Sequence, residues 1–424
     1  LIFDLNKKSS KRRCKYKSIC YFIMKCVTVL WSTLLKNLIY NNYNSFFLNP
    51  TNSNNSFLEN KGGSLILAGP VGSSLIRLSI PMILGLISIL IINLVDTFYI
   101  SLIGDKELVA ISFTFPVTFI MMSFSFGIGI GASAVISRAI GEGDTLRVRR
   151  LTTDSILLIA IIIIAVAGLG YLKLESIFSL MGASAEIFNL IEQYMIPWLI
   201  GVVFVVIPIV GNSAIRATGD TKTPSLIMLL AAIVNAILDP VLIFGYGIVP
   251  KMGIRGAAVA TVISYISIMI VGLWVLGKRE RMLALDWPDI TEVINSWRDL
   301  LYIGLPAILT QLVYPFSNLI LTSIAASIGD KTVAAFGVGS RIESIAMIGA
   351  MALSSVVIPF IGLNYGAGNF DRIKIVTGFI IRFAIIWGAL AWIFLALISN
   401  RIAWGFSDDL EIQYLIKQFF LIVP

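Results

Sequence analysis

From about residue 77 onward the chain alternates between long apolar runs and short polar breaks. The runs fall at about 77–102, 109–136, 154–173, 194–213, 224–247, 254–276, 301–325, 334–360 and 378–399, and a tenth opens near Tyr414. A helix crosses the hydrocarbon core of a bilayer with about 20 apolar residues, so each run is long enough to span. None shows the two-residue alternation of barrel strands, and the spans are therefore read as helices. Residues 1–70 follow a different pattern. They carry a basic stretch at 7–17 (KKSSKRRCKYK) and a polar, low-complexity stretch at 41–56 (NNYNSFFLNPTNSNNS). The apolar run between them, CVTVLWSTLL, is too short to span and is flanked by Lys25 and Lys36. This N-terminal segment is read as disordered or lying on the membrane surface.

Composition agrees with this pattern. The 424 residues are 57% hydrophobic and only 13% charged, with a mean hydropathy of +0.91. That balance places the protein in the membrane and excludes a soluble domain. The net charge of +8 would suggest nucleic acid in a soluble protein, but membrane proteins gather Lys and Arg on the cytoplasmic side. Loop charges orient the spans accordingly. On one side stand Arg138, Arg147, Arg149, Arg150, Arg216, Lys222, Lys278, Arg279, Arg281, Arg298, Arg372 and Lys374. On the other stand only Lys106, Lys173, Lys251, Arg255, Lys331 and Arg401. The first side is cytoplasmic, and no nucleic-acid partner is expected. The chain has no histidine, so any proton chemistry must use carboxylates. Cys14, Cys20 and Cys26 fit no zinc spacing. No GxxxxGK[ST], HExxH or GxSxG pattern occurs, and we expect neither an enzyme nor an organic cofactor.

The chain matches itself at an offset of 225 residues. Pro81 falls on Pro306, Asn93 on Asn318, IGDK at 103–106 on IGDK at 328–331, Gly141 on Gly366 and Arg147 on Arg372. Six spans separate equivalent points, and an even number leaves both copies in the same orientation. The expected fold class is an all-α membrane protein of two parallel six-helix repeats. The expected domains are residues 71–280 (spans 1–6) and 281–424 (spans 7–9 and the start of span 10). By the repeat, the second copy stops roughly 75 residues short, so it is read as truncated.

Two carboxylates lie deep in the spans of the first copy. They are Asp96 in IINLVDTFYIS and Asp239 in NAILDPVLIFG. A charge at mid-bilayer costs roughly 2.5–3.5 kcal/mol even on the lenient insertion scale, so it is retained where it is used or compensated. Counting in from Gly104, Gly247 and Gly253 puts Asp96, Asp239 and Thr261 at one depth, about 12 Å below the outer surface. Asn93 and Asn235 lie three and four residues before the acids, each on its acid's helix face. Pro240 has no N–H and frees the carbonyl of Ala236. The cluster is all oxygen, which suits a hard cation. Without a basic residue at that depth, the two acids either share a proton or hold a cation. Other motifs carry less. GIGIGAS at 127–133 lies inside a span and reads as small-residue helix packing through Gly127 and Gly131. FIMMSFSFG at 119–127 reads as packing or as an adaptable apolar pocket. Arg341 and Glu343 in GSRIES are expected to pair near the outer interface.

These segments, together with GASAVISRAIGEGD, NSAIRATGDTKTP, GIRGAAVATVIS and IGDKTVAAFGVGSRIES, resemble the multidrug and toxic compound extrusion (MATE) family of cation-coupled antiporters. The resemblance runs from about Leu75 to the C-terminus. It implies two six-helix lobes that open alternately to either side of the cell membrane. It also implies a cation site for Na⁺ or H⁺ at Asp96, Asn235, Asp239 and Thr261. The branch with an acid in the seventh helix fits poorly, since LPAILTQLVYPFSNLIL contains none. The function expected is export of drugs or toxic organic compounds, cationic or amphipathic, by a monomer. The alternatives are a lipid-linked oligosaccharide flippase of the same superfamily and an inactive fragment. Few basic residues lie within the spans, which favours drug export over the flippase.

Overall fold

The computed structural model describes residues 61–424, except Ile248, Leu285, Pro288, Ser407, Asp408 and Pro424. The basic and low-complexity stretches before residue 61 lie outside the described residues. Thirteen α-helices follow one another among the described residues. They are α1 (Lys61–Ala68), α2 (Val71–Ser101), α3 (Asp105–Glu142), α4 (Thr145–Leu172), α5 (Leu174–Leu180), α6 (Ala185–Ala217), α7 (Lys222–Phe244), α8 (Ile254–Trp274), α9 (Ile290–Ile328), α10 (Asp330–Ala346), α11 (Ile348–Gly366), α12 (Phe370–Phe406) and α13 (Leu410–Ile422). A π-turn at Val275–Arg279 extends α8. Nine of these elements are long and apolar enough to cross a membrane. Large apolar side chains such as Leu84, Ile237, Ile270 and Leu397 stay exposed on their outer faces, as lipid-facing helices require.

The duplication is visible in the helices. Asp105, Thr145 and Ala185 open α3, α4 and α6, while Asp330, Phe370 and Leu410 open α10, α12 and α13, each 225 residues later. An outer ion pair repeats with them. Lys106 meets Glu186 in the first copy and Lys331 meets Glu411 in the second. One span departs from the expectation. The run at 334–360 is two helices, α10 and α11, divided at Met347. The Ala346 carbonyl there accepts a hydrogen bond from the Trp387 indole at 3.1 Å. Ile162 stands at the equivalent place in the first copy and has no donor, and α3 runs unbroken past Met122.

The two copies pack through the halves that carry Gly131, Gly141 and Arg147. Gly127 and Gly131 of α3 admit the backbone of α9, where a Cβ on Gly127 would lie 2.6 Å from Ile308 N and one on Gly131 2.6 Å from Leu300 O. Further inward, Gly141 of α3 meets α11, and a Cβ there would sit 2.3 Å from Leu363 O; one on Gly366 would sit 2.2 Å from Arg138 O. Gly141 and Gly366 are repeat mates, so the pseudo-twofold axis passes between them. Small residues let the helix backbones touch. Two arginines that are also repeat mates reinforce the seam. Arg147 donates to Asp299 of the second copy at 3.0 Å. Arg372 donates to the carbonyls of Ile66 and Gly69 at 2.8 and 2.7 Å. Residues 61–68, grouped by composition with the N-terminal segment, are thus a helix with Ile66 fully buried and fastened to the second copy. Asp220, in the loop after α6, staples that loop to the start of α7 and the end of α8 through Thr223 and Arg279. Burial opposes its charge, but hydrogen bonds from Thr223 and Arg279 hold the carboxyl below its usual range.

Arg341 and Glu343 form no ion pair with each other among the described residues. Residues two apart on a helix point to different sides.

Overpacking a closed helix contact costs about 1–3 kcal/mol. Gly141→Leu must push α3 from α11 and lower the melting temperature, whereas Gly168→Leu meets nothing within 4 Å and should leave it nearly unchanged. Equal melting temperatures for the two variants, measured by thermal denaturation in detergent, would refute the seam.

Candidate cation site

Three helices of the first copy supply the polar group. α7 carries Asn235 and Asp239 one turn apart, both buried. α2 brings Asp96 alongside, through the close contact in which Gly85 lies against Ser225 and Met228 of α7. α8 brings Thr261. The α7–α8 hairpin sets the last of these. Gly245 and Gly253 take φ of +81° and +59° in the turn, where left-handed backbone favours glycine. The N–H groups of Met252 and Gly253 donate to the carbonyls of Leu242 and Ile243, both at 3.0 Å. Gly256 sits directly on this backbone, and a Cβ there would lie 2.5 Å from Leu242 O.

Asn235 Nδ2 donates to Asp239 Oδ1 at 3.3 Å, and Thr261 Oγ1 donates to Asp96 Oδ2 at 3.4 Å. The two carboxyl groups lie near enough to interact with one another. Three buried oxygens remain without any donor: Asp96 Oδ1, Asp239 Oδ2 and Asn235 Oδ1. Buried polar atoms are normally satisfied, so three orphan acceptors in one cluster ask for a proton or a cation between them. Among the described residues no group of three or more His, Cys, Asp or Glu side chains forms a metal site. The donor set is oxygen only and fits a hard cation, which would balance two like charges that otherwise repel in an apolar surrounding. Asp96, Asn235, Asp239 and Thr261 are therefore brought together. Asn93 is not. It is exposed, and its Nδ2 donates to Ile89 O at 2.9 Å on its own helix.

Two tyrosines escaped the sequence reading. Tyr194 of α6 stands close enough to feel the charge of both carboxylates, and Tyr265 of α8 that of Asp96. Tyr265 follows Thr261 by four residues and shares its helix face, which is a signal the sequence held. Nothing local marks Tyr194, since α6 comes to the site by tertiary packing, notably against α8, where Gly201 meets Val262.

The architecture is that of a multi-pass membrane protein made of two like-oriented repeats around a polar cluster in the first. The MatE family model matches residues 81–241 and 306–423, two segments that begin 225 residues apart. The chain belongs to the MatE family, and is a secondary transporter of the cell membrane. The FAD transporter of Shewanella oneidensis is 39% identical over 359 residues, covering 85% of this chain and 79% of that protein. The multidrug export protein MepA of Staphylococcus aureus is 26% identical over 309 residues, covering 72% and 67%. The crystal structure of the Vibrio cholerae MATE transporter VcmN in the bent form superposes with a TM-score of 0.77 at 29% identity, covering 84% of this chain and 80% of that one.

Gly256→Val should drive α8 off the α7 backbone and lower stability by about 1–3 kcal/mol. Gly272→Val on the same helix meets nothing within 4 Å and serves as the control. A melting curve unaltered by Gly256→Val would show that the hairpin does not fix the spacing of Asp239 and Thr261.

Proposed function

We propose that the protein exports small organic molecules in exchange for Na⁺ or H⁺ held by Asp96, Asn235, Asp239 and Thr261. The observation that carries the reading is the set of three orphan oxygens around two facing carboxylates. A cation or proton there removes the repulsion and lets α2 and α7 draw together; its loss reverses the change. Residues 71–280 and 281–424 act as the two moving bodies of a monomer. The coupling is reciprocal, so substrate binding weakens cation binding by the factor by which the cation weakens substrate binding.

Two substrate classes fit. The multidrug relatives support amphipathic, cationic compounds. The FAD transporter is more similar, at 39% identity against 26% for MepA, and this favours an aromatic dinucleotide as the cargo.

In proteoliposomes with imposed Na⁺ or H⁺ gradients, Asp239→Asn should abolish gradient-driven efflux of FAD and of a cationic dye alike. In detergent, Na⁺ or acidification should shift the melting temperature of the wild type and not of this variant. Efflux that persists undiminished in Asp239→Asn would remove the site from the mechanism. The gradient that drives wild-type efflux identifies the coupling ion.

A further inference from the structure

Eight buried side-chain atoms find no hydrogen-bond partner among the described residues, and only three of them belong to the cation site. Of the other five, three lie on facing turns of α3 and α6: Ser133 Oγ, Asn212 Oδ1 and Arg216 Nε. The two helices run parallel. Lys106 and Glu186 pair at their first turns, and further along Gly129 meets Ser213. A Cβ on Gly129 would lie 2.7 Å from Ser213 Oγ and 3.9 Å from Ile209 O. The face of α6 that carries Ile209 and Ser213 is therefore turned to α3, and Asn212 and Arg216 flank Ser213 on that face. Arg216 Nη2 donates to Ser213 Oγ at 2.6 Å, which draws the guanidinium back to the level of Gly129. Ser133 follows Gly129 by one turn on the same side of α3. No proline interrupts α3 beyond Pro116 or α6 beyond Pro208, so both short counts run along unbroken helix.

Arg216 enters no ion pair among the described residues. A guanidinium is always charged, and a charge held inside a protein is retained where something opposite compensates it. The last turn of α6 offers a partial negative charge, but Arg216 Nε–H still has no acceptor. The neighbours on these turns, Ser133, Asn212, Ser213 and Ala217, are all neutral and buried. The orphan atoms here also differ in kind from those of the cation site, which are acceptors only. A guanidinium N–H and a hydroxyl are donors, and the Asn212 amide, turned by half a rotation, adds N–H donors to them. Converging donors around an uncompensated positive charge suit an anion. The close approach of α3 to α6 excludes a bulky one. Arg216 alone of the group is partly open and gives the route of entry.

We propose that the α3–α6 interface of the first copy binds a small inorganic anion of chloride size on Arg216, with Ser133 and Asn212 completing its shell. The ion neutralises the guanidinium and ties the two helices together. The test is the melting temperature of the full chain in detergent, at fixed Na⁺, as gluconate is replaced by chloride. Fixed Na⁺ keeps the occupancy of the cation site constant, and gluconate is too bulky to enter between the helices. A ligand that binds the folded state stabilises it along a saturating curve. Wild type should therefore gain about 2 °C or more and then level off. Arg216→Gln should lose the gain, and Arg216→Lys, which keeps the charge, should retain part of it. Ser133→Ala should still respond but need several-fold more chloride to reach the plateau. Cooperative melting in gluconate shows which variants fold, and Ser133→Ala carries the test if Arg216→Gln does not. No saturating gain in wild type overturns the proposal. So does the same gain at the same chloride concentration in Arg216→Gln, or, where that variant does not fold, in Ser133→Ala.

Discussion

Two acidic side chains from different helices face each other in an apolar bundle without a basic partner. That juxtaposition of Asp96 and Asp239 constrains everything around it. Like charges in low dielectric repel strongly, so two ionised carboxylates at this spacing would push α2 and α7 apart. The structure holds the pair by devices that leave little slack. Gly85 brings α2 against α7, and the α7–α8 hairpin fixes Thr261 by two backbone hydrogen bonds and the close seat of Gly256.

The site is one-sided. The second copy keeps Asn318 for Asn93 but has Leu321 where the first has Asp96. The symmetry survives instead at the seam, where Gly141 meets Gly366 and Arg147 and Arg372 each reach across. Even there the two contacts differ. Arg147 meets a carboxylate, whereas Arg372 meets backbone carbonyls at the end of α1 and stacks over Phe360 at 5.7 Å. A duplicated scaffold thus supplies a symmetric seam, and only one copy carries the buried acid pair.

Much of this was legible in the chain. The 225-residue offset announced the repeat, and the helix starts at Asp330, Phe370 and Leu410 obey it. Counting residues inward put Asp96, Asp239 and Thr261 at one depth, because rise per residue is fixed in a helix. The same counting misled for Asn93. Three residues before Asp96, it shares a face loosely but turns to Ile89 on its own helix. The break at Met347 was also hidden, since it depends on an indole from α12 rather than on any local breaker.

Periodicity and self-similarity along the sequence determined the class of fold and the common level of its buried acids. These are properties of one helix at a time. The tertiary structure decided which faces meet: that Tyr194 reaches the carboxylates, that α1 belongs to the seam, and that Arg341 and Glu343 do not pair. Azimuth around a helix acquires meaning only when a neighbour is present, and no count along the chain supplies the neighbour.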